Sequence, residues 1–329
     1  MSDTSMKALV LGATLVLALA APAGAQQRVS VYTAHTANIV ERMIPDFEKA
    51  TGMKADVVKA GSGDILNRVR AEAGNPKADV IWSVGAELLA ANTDLISPYR
   101  PKEYDMIADA FRNDAPWLPY AGIMNVFVVN TKKLKPEEYP RTWTDLAQPR
   151  FKNLVSYADA EKSGSAYMQL NTFLTIYGDN AAGWAKFKQL FANMSVSASS
   201  GAVPRFVNDG EAVVGITLED NAYLFLKNGG PVAIVYPEDG TSVIADGMAV
   251  VKGAPNVAGA RAFIDWAMSA PVQEMVVQEL GRRPIRKDGK PLAALKAIEQ
   301  VKLVNYDIQR AADKRKEYID KWQELVQSR

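Results

Sequence analysis

Over residues 29–92 the apolar pattern changes period again and again, from the two-residue repeat of a strand to the 3.6-residue repeat of a helix. Nothing else in the chain narrows its fold so far. Val29–Tyr32 is a short β-rich run. Ala37–Ala50 follows, with Ile39, Val40, Met43, Ile44 and Phe47 at helical spacing, and Thr51-Gly52 stops it. Lys54–Lys59 reads as a strand, Asp64–Ala73 as a helix, Ala78–Trp82 as a buried strand and Gly85–Asn92 as a helix. Alternation this dense argues for an α/β fold built on a parallel sheet whose faces helices cover.

A long strand over Gly122–Asn130, "GIMNVFVVN", leads into a Pro- and Lys-rich loop, and the first crossing into a second lobe is placed there. That lobe has its own elements: strands at Asn153–Ser156, near Ser195 and at Val213–Thr217, and helices at Ser165–Tyr177, Ala181–Asn193 and Pro204–Asp209. Asp246–Asn256 reads as a returning strand and Val257–Met268 as a helix. Val301–Val326 reads as one amphipathic helical stretch, capped by Asn305 or Asp307. The expected division is residues 26–122 plus 245–296 for lobe one and 123–244 plus 297–329 for lobe two.

Lys7 is followed by an apolar run, Ala8 to Ala21, that closes on Ala23-Gly24-Ala25. The run is too short for a membrane span and ends on a small-residue cleavage pattern, so residues 1–25 are expected to be a secretory signal peptide. The protein is expected in the periplasm. It has no cysteine, which removes disulfides and a lipid-modified cysteine, so the core must supply the stability. A net charge of +1 indicates neither nucleic-acid binding nor attachment to a membrane surface.

Four strand-to-helix junctions carry the same chemistry. "KAGSGDI" offers Gly61, Ser62 and Gly63, and "IWSVGAE" offers Ser83. "EKSGSAY" offers Ser163, Gly164 and Ser165, and "ASSGAVPR" offers Ser199, Ser200 and Gly201. Hydroxyls and close-approach glycines at helix starts lie beside unpaired backbone N–H groups and the positive end of the helix dipole. Such ends bind anionic oxygens without an arginine. Each serine taken alone reads better as a helix cap. Together they favour an anion site.

Acidic residues form a second group. Glu219 and Asp220 close the strand of "GITLEDNAY", where they could accept bonds from hydroxyls or pair with an ammonium group. Glu238 reads as a solvated turn residue, and Asp239 beside it is a candidate ligand contact. His35, the single histidine, follows the first strand with Thr36, where a cleft would lie. No triad or zinc cluster can be assembled, so neither an enzyme nor a cofactor is indicated, and a hydrolase using Glu219 or Asp220 as base is the weaker alternative. Arg282 and Arg283 are expected at the surface.

The segments "VYTAHTANIVERMIPDFEKATGMKADVVKAGSGDILNRVRAEAGNPKADVIWS", "PRTWTDLAQPRFKNLVSYADAEKSGSAYMQL" and "ARAFIDWAMSAPVQEMVVQELGRRPIR" resemble periplasmic solute-binding proteins of ABC importers. The group in question holds ferric-ion, thiamine, hexose-phosphate and aminoethylphosphonate binders. The resemblance implies a two-lobed periplasmic-binding-protein fold of type II, each lobe a sheet flanked by helices, with crossing hinge strands. It also implies a small-molecule ligand, delivery to an ABC permease in the inner membrane, and a monomer.

Ferric binders of the group place adjacent tyrosines where this chain reads "LEDNAYLF" with Tyr223 alone, which counts against iron. Ferric ion remains the alternative ligand, since some of those proteins also place a histidine where His35 stands. Thiamine would need aromatic faces, for which Trp82 is thin support. In organophosphate members the matching junction residues face the phosphoryl group; here they are Ser62, Gly63, Ser83, Ser163, Gly164, Ser165, Ser200 and Gly201. The expected ligand is a sugar phosphate or aminoalkylphosphonate.

Overall fold

The computed structural model describes residues 27–328. The expected signal peptide lies outside them. The first third follows the alternating pattern: β1 (Arg28–Thr33), α1 (Ala37–Thr51), β2 (Lys54–Lys59), α2 (Ser62–Ala71), β3 (Val80–Val84), α3 (Ala86–Ala90) and β4 (Ile96–Ser97). In α1, Ile39, Met43 and Phe47 recur every four residues on the buried face. The helix ends where Gly52 takes a left-handed φ of 73° and returns its N–H to the Glu48 carbonyl at 2.9 Å.

The chain continues through β5 (Leu118–Asn130), β6 (Val155–Ala158), α4 (Gly164–Tyr177), α5 (Ala181–Phe191), β7 (Met194–Ser197), α6 (Ala202–Asp209), β8 (Val214–Leu218), α7 (Glu219–Lys227), β9 (Val232–Val235) and β10 (Val243–Val251). It closes with α8 (Val257–Met268), α9 (Ala270–Gln278), α10 (Ile308–Asp313) and α11 (Arg315–Gln327). Among the described residues the strands join in the order β2-β1-β3-β10-β5-β8-β6-β7, with β4 also on β10 and β9 on β5.

Pairing is parallel within each outer wing, β2-β1-β3 on one side and β8-β6-β7 on the other. The middle differs from the all-parallel expectation, because β10 and β5 run antiparallel to each other and to their outer neighbours. β5 is buried along its whole length and changes partners midway. Leu118–Met124 lies against β10, whereas Asn125–Val129 lies against β8.

β5 also starts earlier than the sequence suggested. Pro119, within this added length, cannot donate to the ladder. It faces Gly247 beside a bulge in β10, where the lost bond is tolerated. The C-terminal stretch is two short helices rather than one. Asp307 caps α10 by accepting the Arg310 N–H at 2.9 Å, and the chain breaks at Lys314. Trp322 of α11 then packs against Tyr157, Phe187 and Phe191, and its indole N–H reaches Asp159 at 2.9 Å. α10 lies on α3, so the C-terminal segment touches both wings.

Candidate functional site

Where the carboxyl ends of the two parallel wings face each other, a cavity of about 720 Å³ opens. Open α/β sheets place ligands at such strand ends, where helices begin. One wall carries His35, Thr36 and Asn38 from the β1–α1 junction, Lys59 and Ser62 from β2–α2, and Ser83, Gly85 and Glu87 from β3–α3. The facing wall carries Ser163, Gly164 and Ser165 at the start of α4, Ser199, Ser200 and Gly201 before α6, and Asn221 on α7. Ile123 and Ile244 of the middle strands, with Asp246 and Arg282, close the base.

At α4 the hydroxyl of Ser163 accepts the Ala166 N–H at 3.2 Å and stands 3.0 Å from the Ser165 hydroxyl. Capping is therefore part of what Ser163 does. Among the described residues no protein acceptor meets the N–H groups of Gly164 and Ser165, or those of Ala37 and Asn38 at the start of α1. The Thr36 hydroxyl is likewise buried without a partner, and Ser62 makes no capping bond. These are donors held ready at helix ends whose dipoles favour negative charge.

The walls come into contact at glycines. The Gly63 N–H donates to the Lys162 carbonyl at 3.2 Å. A methyl group on Gly61 would lie 2.5 Å from the Lys162 carbonyl oxygen, and one on Gly63 would lie 2.5 Å from that of Glu161. One on Gly164 would lie 2.8 Å from the Ser62 hydroxyl, and one on Gly201 would lie 3.0 Å from the Thr36 methyl. Gly63 thus serves the contact between walls and is not part of the lining, its donor being already taken.

Arg282 is buried at 5 % exposure, against the surface position expected from the sequence. It lies 2.7 Å from Asp220 and 3.0 Å from Asp246, and Asp246 also takes the hydroxyl hydrogen of Ser83. Burial pushes the Asp246 carboxyl up to about 6, although Arg282 pulls the other way. Burial raises Asp220 too. Ser83 reaches this cluster from a left-handed φ of 57°, a conformation a non-glycine residue adopts rarely.

His35 lines the cavity with its ring edge-on to Trp82 at 4.4 Å and to Tyr120 at 5.5 Å. Burial, reinforced by Arg282, holds its pKa well below the usual imidazole value, so the ring is neutral. Trp82 is fully buried beneath it and is not part of the lining.

The remaining acidic candidates sit behind or away from the walls. Glu219 holds Arg283 by two bonds of 2.6 Å and accepts the Tyr236 hydroxyl, which also buries Arg283 rather than exposing it. Asp220 reaches the cavity only through Arg282. Asp239 accepts the Trp143 N–H at 3.1 Å and the Tyr177 hydroxyl, outside the lining. Glu238 is a half-exposed partner of Arg141, as a turn residue would be. The sequence reading missed Glu87, Asp246, Asn221 and Lys59. A lone Asp inside the apolar run "VIADGMAVV" was the one visible signal; Glu87 lies among Ala86, Leu88 and Leu89, all buried, and no period marks it.

A sheet crossed at its middle by two antiparallel strands, with helix ends from both wings around one cleft, defines a two-lobed solute-binding protein. The model of the bacterial extracellular solute-binding protein family matches residues 75–313, and the chain belongs to that family. A protein of Haemophilus influenzae is 34 % identical over 327 residues, 94 % of each chain. A Salmonella typhimurium protein provisionally named as a 2-aminoethylphosphonate-binding periplasmic protein is 28 % identical, over 98 % of this chain and 100 % of its own. Iron uptake protein A1 of Synechocystis is 27 % identical, over 80 % of this chain and 77 % of its own. Among solved structures, the periplasmic binding protein AfuA of Actinobacillus pleuropneumoniae with fructose-6-phosphate superposes with a TM-score of 0.85. It is 28 % identical, and the match covers 92 % of this chain and 99 % of AfuA. Proteins of the family bind small molecules and deliver them to ABC permeases.

Proposed function

We propose that this protein captures a small organic phosphate or phosphonate in the periplasm and hands it, as a monomer and without covalent chemistry, to an ABC permease in the inner membrane. One observation carries the reading: helices α1, α2, α4 and α6, from both walls, begin at a single cleft lined by hydroxyls, and α1 and α4 keep unpaired N–H groups there. The volume suits a sugar phosphate or an aminoalkylphosphonate. Arg282 is already neutralised by two carboxylates, which leaves the helix ends, with Lys59 on the wall, to hold the anion.

The lobes proposed are residues 26–122 plus 245–296 and 123–244 plus 297–329. The change of β5 partners after Met124 supports that division. Iron fits less well. Tyr223 packs on Gly281 outside the lining, and the described residues hold no group of three or more His, Asp or Glu placed for a metal. Trp82, buried under His35, offers no face for thiamine.

Thermal unfolding with fructose 6-phosphate, 2-aminoethylphosphonate and related compounds, beside ferric citrate, tests the proposal. A rise in melting temperature with a phosphate or phosphonate is expected. A rise with ferric citrate alone, with a visible phenolate-to-iron band, would sink it.

A further inference from the structure

Among the described residues two acidic side chains line the cleft: Asp246, paired with Arg282, and Glu87. Glu87 has no solvent exposure, and its Oε2 is without any partner. That oxygen lies 3.5 Å from where a methyl group on Gly85 would sit, and the Gly85 N–H lies 3.4 Å from the corresponding point on Gly164. Ser62, Ser163 and Gly164 share the same stretch of wall. A carboxylate there would repel a phosphoryl dianion in a dry, low-dielectric site, where unpaired like charges cost most. A carboxyl that keeps a hydrogen would instead add a donor.

We propose, resting on the phosphate or phosphonate reading, that Glu87 and the captured phosphoryl group share one proton. Either the carboxyl donates to a phosphoryl dianion, or the carboxylate accepts from the hydroxyl of a phosphoryl monoanion. The two forms differ only in which oxygen carries the hydrogen, so charge and atoms balance alike. When both groups are ionised beforehand, the proton comes from solvent.

The surroundings of Glu87 support a proton held near neutrality. Burial pushes its carboxyl up to about 7, while the Arg315 guanidinium of α11 and the Tyr306 hydroxyl, 3.3 Å from Oε1, pull it down. Tyr167 of α4 lies under Arg315 at 4.7 Å and stays neutral. Arg315 spends one nitrogen on the Glu161 carbonyl at 2.9 Å, so its charge is divided between Glu87 and the facing wall. An arriving anion raises the carboxyl further, since like charge favours the protonated form. Asp246 and Asp220 are the other buried acids near the cleft, each held by Arg282.

The test is the number of protons taken up on binding at pH 8, measured by calorimetry in two buffers of different ionisation heat. The probe is fructose 6-phosphate or 2-aminoethylphosphonate, whichever gives the larger thermal shift. A phosphate ester's second ionisation falls at about 6, so both partners are largely ionised at this pH. Uptake near one proton by the unaltered protein is expected. Dissociation constants should rise about tenfold per pH unit above 8. In Glu87→Gln, whose amide donates at every pH, uptake should fall to near zero and the pH dependence should flatten. Binding without proton uptake in the unaltered protein would overturn the inference and leave the ligand class standing. Full uptake persisting in Glu87→Gln would overturn it too, by moving the proton to Asp246 or Asp220. Failure of every phosphate and phosphonate to bind would remove the ligand class itself.

Discussion

The Gly63 N–H reaches the Lys162 carbonyl across the cleft at 3.2 Å, so two junctions singled out for a ligand are bonded to each other. Closure therefore depends on how closely backbone can approach backbone. Glycine permits that approach because it carries no Cβ.

Gly63→Ala tests this directly. Gly63 is helical with negative φ, so alanine suits its backbone conformation, but in the fold described its methyl would press on the Glu161 carbonyl at 2.5 Å and hold the walls apart. Affinity is expected to fall by about 10- to 100-fold, roughly 1.4–2.8 kcal/mol, because the walls can no longer meet as closely. Small-angle scattering at saturating ligand should show a larger radius of gyration than the parent protein gives.

Ser163 and Ser165 separate under two readouts. Ser163→Ala removes the cap on α4 and should cost about 1 kcal/mol of stability. Ser165→Ala should leave stability unchanged. Together they should weaken ligand binding by about 2–4 kcal/mol, as lost bonds to a charged group do. Equal affinities for parent and double variant would reduce both serines to structural roles.

Arg282→Gln strands two buried carboxylates and should cost about 3–5 kcal/mol at pH 7.5. The Asp246 carboxyl is raised in the folded state, to about 6, so its contribution is fully favourable below its unfolded value and is lost as pH rises through 6. Without Arg282 that loss moves to still higher pH. The stability gap between variant and parent should shrink as pH falls from 7.5 to 5, followed by urea unfolding; a gap constant across that range would refute the assignment.

Glu87 makes a ligand-free prediction of the same sign. Its carboxyl is raised from the ordinary glutamate range to about 7, so stability is lost as pH climbs through 7. At pH 8 Glu87→Gln should be more stable than the parent by about 1–3 kcal/mol, and at pH 5 the two should match. A variant less stable at pH 8 would show that Arg315 outweighs burial.

The strands and helices around the cleft were legible because apolar period and Gly-Ser punctuation act within a few residues of each other. Ser62, Ser163 and Ser200 could be found that way. What escaped was set by contacts between distant segments. Arg282 looked like half of an exposed basic pair, and only the return of β10 beside α7 buries it against Asp246 and Asp220. Glu219 read as a free acid until Arg283 and Tyr236 claimed it. The start of β5 at Leu118 likewise depends on a distant segment, the bulge in β10 opposite Pro119.

Because β5 trades one neighbour for another without a break in its ladder, one continuous strand joins the sheet of one wing to that of the other. At that crossing the wings are held by hydrogen-bonded backbone rather than by a loose tether. If the wings part to take up and release a solute as proposed, such a spine would act as a torsion spring with few coordinates.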